Sequence, residues 1–328
     1  MMQVIIRQIW IAAILVLGQS VFMQQSAFAQ EWPTRSVRMI LTGPPGGGPD
    51  RVTRWVADSL SKMWGQAVVI ENKPGASTRI GAEAVAVAKP DGYTLLSTSS
   101  THTLVKSLFP DTKFDPLTSF SPITPFVRTD VVYIVNADSP YKTLKELIDA
   151  HKKSGRPIEY GTFGLGSAFH IFGLLIGQHA SVAVLPVPYK GEALSLNDLL
   201  GKQIESSFNS VSTALPQIRA GKVRALAVVA PKRSSILPDV PTFAELGYDG
   251  LDSGGWFGLF APAGTPPAIV NKISVDVGKI LARPELAQIL RAQGLEPIPS
   301  TPDAFRRQIA AEVPRWERFI REFHITPN

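Results

Sequence analysis

The chain has 328 residues, 45% of them hydrophobic and 18% charged, with a formal net charge of +6 and no cysteine. That length and composition suit about two domains with real cores and exclude a disordered chain. The lack of cysteine excludes thiol nucleophiles, Cys-ligated zinc and iron–sulfur clusters, and the scattered basic residues argue against a nucleic-acid-binding stripe.

The first 29 residues stand apart. Arg7 precedes an apolar run over residues 9–17, and Ala27-Phe28-Ala29 has the small-x-small form of a cleavage site. Gln19, Ser20, Gln24 and Gln25 interrupt the run before the ~20 residues that a membrane span needs. Residues 1–29 are therefore expected to be a secretory signal peptide cleaved near Ala29, leaving a soluble protein outside the cytoplasm.

Residues 37–41 form a short apolar run of strand type, and Val52, Trp55, Val56, Leu60 and Met63 recur at helical spacing. Between them lies Gly43-Pro44-Pro45-Gly46-Gly47-Gly48-Pro49-Asp50, with Asp50 where an N-cap belongs. Glycines let bare backbone amides approach a ligand, and a helix start behind them favours an anion. The loop lacks the Gly-Lys-Ser/Thr ending of a P-loop. Arg51 stands where a dinucleotide fingerprint needs its third glycine, so nucleotide chemistry is disfavoured.

Strand signals follow at residues 67–72 and 93–96, separated by a helix carrying Ile80, Ala84, Val85 and Ala88. The third strand runs into the polar loop Ser97-Thr98-Ser99-Ser100-Thr101. Alternating strands and helices imply a parallel sheet, with ligands beyond the carboxyl ends of its strands. A long β-rich stretch at 126–136 leaves this unit. Then a strand at 158–163, the loop Gly164-Leu165-Gly166-Ser167 and a helix marked by Phe169, Phe172 and Ile176 repeat the opening logic. Two such units can face each other across a cleft and grip one ligand. Further strands are expected at 183–188, 204–209, 223–229 and 256–261, the last crossing back to the first domain, with helices over 267–282, 284–293 and 302–323.

These residues resemble the Bug-type substrate-binding receptors of tripartite tricarboxylate transporters over essentially the whole mature chain. The likeness rests on Pro45-Gly46-Gly47-Gly48-x-Asp50, Glu71-Asn72-Lys73-Pro74-Gly75-Ala76, Pro90-Asp91-Gly92-Tyr93 and Gly164-x-Gly166-Ser167-x-x-His170. Pro188-Tyr189-Lys190-Gly191, Leu237-Pro238-Asp239-Val240-Pro241 and Arg315-Trp316 add to it. The resemblance implies a type II periplasmic-binding-protein fold: two α/β domains, 30–128 with 254–328 and 129–253, joined by two crossover strands. It also implies a monomeric periplasmic receptor, not an enzyme. Such a receptor carries no cofactor, captures a small carboxylate by hinge closure and delivers it to transporter components in the membrane. An exported α/β enzyme, or a loaded partner of a membrane sensor kinase, are the alternatives.

The candidate ligand residues are Pro45, Gly46, Gly47 and Gly48 in the first cradle, and Gly164, Gly166 and Ser167 in the second. Ser99 and Thr101 end the third strand, Tyr189 and Asn209 follow later strands, and Phe169 offers an apolar wall. Ser167 reads as an N-cap that also binds, whereas His170 suits a packed network role as well as a ligand contact. The chain departs from the family at Pro49, where a threonine is usual, and at Ser77, Thr78 and Arg79, where two glycines and then often an asparagine follow Gly75-Ala76. Arg79 adds a cationic fork suited to a second carboxylate, so a dicarboxylate, with an aromatic one among the options, is the expected ligand.

Overall fold

The structure, a computed structural model, describes residues 32–46 and 48–326. The expected signal peptide and Gly47 lie outside the described residues. Two sheets carry the fold. In the first, Val37–Leu41 (β1) pairs in parallel with Val68–Asn72 (β2) and Thr94–Ser99 (β3). The helix Gly48–Trp64 (α1) follows β1 and buries Val52, Val56 and Leu60. This is the four-residue spacing that lays one helix face on a sheet. The helix Arg79–Ala86 (α2) precedes β3, and the short helix Val105–Leu108 (α3) follows it.

The first sheet is not wholly parallel. Phe120–Thr129 (β4) enters it antiparallel and continues through Asp130 into Val131–Asn136 (β5), which belongs to the second sheet. That sheet has the order β7-β6-β8-β5-β9. Its chain runs through Leu144–Ser154 (α4), Ile158–Thr162 (β6), Ala168–Ala180 (α5) and Val184–Pro188 (β7), with Pro186 and Pro188 tolerated because β7 is an edge. Glu192–Leu200 (α6), Ser206–Ser210 (β8), Val211–Arg219 (α7) and Val223–Val229 (β9) complete it. Gly255–Pro262 (β10) then returns to the first sheet between β3 and β4, giving the order β11-β4-β10-β3-β1-β2 with Leu295–Pro297 as β11.

The two crossings touch at Gly254. A Cβ there would lie 2.4 Å from the Thr129 carbonyl and 3.2 Å from that of Val229, so only glycine fits. The remaining helices are Pro267–Leu281 (α8), Pro284–Ala292 (α9) and Pro302–Glu322 (α10). On α10, Phe305, Ile309 and Val313 pack with the first sheet's Phe260 and Leu96, while Trp316, Phe319 and Ile320 join the second sheet's core around Phe172 and Phe208. The last helix therefore spans both cores, although its sequence position suggested the first domain alone.

Candidate ligand-binding site

Asp50 shapes the first loop. It lies in the third position of α1 rather than at a cap, because the helix starts at Gly48. Its carboxylate takes two bonds from Arg54, at 2.9 Å each, one from the Gly46 amide at 3.0 Å and one from Asn72 at 3.0 Å. Asn72 also donates to the Gly43 carbonyl at 3.0 Å. The Arg54 bonds hold the Asp50 carboxyl down at about 2. The Gly46 amide, expected to face a ligand, is thus already satisfied within the loop.

In the second loop, Ser167 caps α5 by accepting from the His170 amide, and its hydroxyl donates to the Gly164 carbonyl at 2.7 Å. His170 turns inward: its Nδ1 accepts from the Gly166 amide at 3.0 Å, and burial lowers its pKa, which keeps the ring neutral for that role. Gly166 has φ +77°, and a Cβ on it would meet Leu108 of α3 at 2.7 Å. This glycine is therefore where the second unit packs closely on the first.

The loops meet around a cleft of about 420 Å³ between the two sheets. Gly43, Pro44, Gly48 and Pro49 line it from the first loop, and Ser99, Ser100 and Thr101 from the end of β3. Phe163, Ala168, Phe169 and Phe172 face them from the second sheet, joined by Trp256 and Phe257 of β10 and Trp316 of α10. Phe163 and Phe169 meet edge to face, with ring centroids 4.5 Å apart. The six aromatic side chains of the lining suit an apolar ligand body. Among the described lining residues the charges are Lys190 and Glu192. Lys190 is exposed and forms no ion pair with a described residue. Ser210, Ser212 and Thr213 add hydroxyls beside Glu192, at the start of α7.

A second depression of about 510 Å³ is lined by Ser77, Leu108, Phe109, Gly164, Leu165 and Tyr189, and it shares Lys190 with the cleft. The Tyr189 hydroxyl donates to Asp198 at 2.7 Å, and burial first, then that bond, pushes its pKa up to about 12.

The other candidates sit elsewhere. Pro45 is exposed outside the cleft lining. Asn209 is fully buried and holds the Glu192 carbonyl at 3.1 Å. Thr78 is buried with an unpartnered hydroxyl, in a run where Ala76, Ser77 and Thr78 all have positive φ, at 44°, 50° and 82°. Such backbone suits glycine, and these side chains hold it at a cost in strain. Arg79 does not reach the cleft. Its guanidinium is bidentate to Asp111 at 3.0 and 2.9 Å and bonded to Glu83 at 2.9 Å, which leaves no free fork for a second ligand carboxylate. Glu192, one residue past the Pro188-Tyr189-Lys190-Gly191 motif, and the wall of Trp256, Phe257 and Trp316 are what motif reading missed.

Comparison with known proteins agrees with this architecture. The family model "Tripartite tricarboxylate transporter family receptor" matches residues 52–325. Protein BugT of Bordetella pertussis is 34% identical over 296 residues, 90% of this chain and 91% of BugT. Among solved structures, the periplasmic binding protein BugD superposes with a TM-score of 0.77 at 35% identity, covering 90% of this chain and all of BugD. Rpa4515 of R. palustris, solved with adipate, superposes at 0.80 and 32% identity, again over 90% of this chain and 100% of that one.

Proposed function

Because the chain belongs to the tripartite tricarboxylate transporter receptor family, we propose that it is a periplasmic receptor that closes over a small carboxylate and hands it to membrane components of such a transporter. Signal-peptide cleavage near Ala29 delivers the mature chain to the periplasm. The observation that carries this reading is the cleft itself. Its walls come from both sheets, and it offers Lys190, unpaired among the described residues, the hydroxyls of Ser99, Ser100 and Thr101 and the start of α5 at Ala168, beside six aromatic side chains. A carboxylate gains from the lysine and from a helix N-terminus, and an apolar body gains from the rings.

Contacts made by both walls exist in full only when the cleft is closed, so the ligand shifts the population towards closure. The crossings at Thr129–Val131 and Gly254, pinned against each other, supply the hinge. Residues 30–128 with most of 254–328 then move against 129–253, with the end of α10 following the second body. The relative solved with adipate supports the carboxylate class. Thermal shift of the mature protein against mono-, di- and tricarboxylates tests the reading, since a specific ligand stabilises the folded state by mass action. The expected result is a concentration-dependent rise for one carboxylate class, with loss of uptake of that compound in a deletion strain. No rise for any carboxylate, or turnover of the compound by the purified protein, overturns the reading.

A further inference from the structure

We infer that Glu192 sets the ligand class: its carboxylate occupies the helix start in the cleft lining, so the ligand carries one carboxylate and, where it meets Glu192, a hydrogen-bond donor. The inference rests on the cleft being the carboxylate site. Ser210 precedes α7, whose opening amides would otherwise make that end attractive to an anion. The chain supplies the anion itself. Glu192 Oε2 accepts from the Ser210 amide at 2.7 Å and from its hydroxyl at 2.6 Å.

The position of Glu192 is fixed from behind. Its carbonyl accepts from Asn209 Nδ2 at 3.1 Å and from the Ser195 hydroxyl at 3.0 Å, so the first turn of α6 cannot easily swing away. Among the described residues no donor reaches Oε1. Asp50 makes the contrast: across the cleft, that carboxylate is cancelled by a two-bond pairing with Arg54. Among the described residues Glu192 has no such cation, and it lies in the lining while Asp50 does not. An uncancelled carboxylate with one vacant oxygen attracts a hydroxyl or ammonium and repels a second carboxylate, more strongly where water is excluded. Since Arg79 is committed to Asp111 and Glu83, it does not relieve that repulsion.

A set of para-substituted benzoates of similar shape tests this by calorimetry: 4-hydroxybenzoate, 4-(aminomethyl)benzoate, terephthalate and benzoate itself, with adipate as the flexible dicarboxylate. The wild-type protein should bind at least one of the hydroxyl and ammonium compounds about tenfold or more tighter than terephthalate, and which of the two is tighter identifies the donor. Glu192→Gln should shift that ratio towards terephthalate by about tenfold or more, whereas Glu192→Asp, which keeps the charge, should not. Terephthalate or adipate binding the wild type tightest overturns the inference and leaves the carboxylate receptor standing. A ratio unmoved by Glu192→Gln, in a variant whose thermal unfolding matches the wild type, also overturns it. If no compound of the set binds either protein, the inference fails, and the receptor reading is decided separately by the wider carboxylate screen. The wild-type ratio decides by itself if the variants do not fold.

Discussion

Ser210 gives both its backbone amide, at 2.7 Å, and its hydroxyl, at 2.6 Å, to a single oxygen of Glu192. The contact joins the start of α6, which follows β7, to the start of α7, which follows β8; these are two strands of the second sheet separated by β6. It places a negative charge in the lining of a cleft whose cation, among the described lining residues, is Lys190. A cation and an anion in one lining favour a ligand that offers a carboxylate to the lysine and a donor to the glutamate.

The crossing strands lead to the first prediction. Gly254→Ala puts a methyl 2.4 Å from the Thr129 carbonyl, a backbone atom that cannot yield without moving a hinge strand. The expected loss is about 2–3 kcal/mol of stability, the upper part of the overpacking range. Ala263→Gly, at a surface turn after β10, serves as a control with little effect. Denaturant midpoints measure both, and equal midpoints for the two would show that the crossings are not pinned there.

A second prediction concerns the first loop. Asp50→Asn removes the charge that Arg54 grips and leaves the side chain too few acceptors for Gly46, Asn72 and Arg54 together. About 2 kcal/mol should be lost at neutral pH, on the scale of charge-assisted hydrogen bonds. The Asp50 carboxyl is lowered from 3.8 to about 2, so its contribution is present above pH 3.8 and disappears as pH falls through about 2. The gap in stability between wild type and Asp50→Asn, followed by urea unfolding, should therefore narrow across that window. A constant gap would show that the charge is not what matters.

His102 gives the third. It is fully buried beside Phe114, Phe120 and Phe260, with both ring nitrogens unpartnered, and burial lowers its pKa from 6.5 to about 3. The unfolded chain takes up the proton near 6.5 and the folded one does not, so this residue drains stability as pH falls from about 6.5 towards 3. Replacing it with phenylalanine should raise the melting temperature more at pH 5 than at pH 7.5. A benefit equal at both values would mean that protonation of the unfolded state plays no part.

The sequence made the two strand–glycine loop–helix units legible because each pairs an apolar strand with a glycine-rich turn and a periodic helix face, as Val52, Val56 and Leu60 do on α1. Ser167 was readable as an N-cap for the same reason. The helix α7 was not, because Pro216 stands inside it and Ser210, Ser212 and Thr213 read as a loop; tertiary packing of Val211, Ala214 and Leu215 wins over that local signal. With α7 unseen, nothing in the sequence marked Glu192 out from its neighbours. Arg79 misled in the opposite way. Its charge was visible, but Asp111, 32 residues away and paired with it at 2.9 Å, was not a neighbour that spacing reveals.

The most direct test fills the cleft. Ala168 is half-buried in the lining at the start of α5, where a large side chain would project into the space between the two sheets. Calorimetric titration of the mature protein and of its Ala168→Trp variant, each checked for an unchanged unfolding temperature, should give saturable carboxylate binding to the first and a loss of about 100-fold or more in the second, as expected when a ligand's own volume is occupied. Equal affinity in the two proteins would place the ligand outside this cleft and contradict the account.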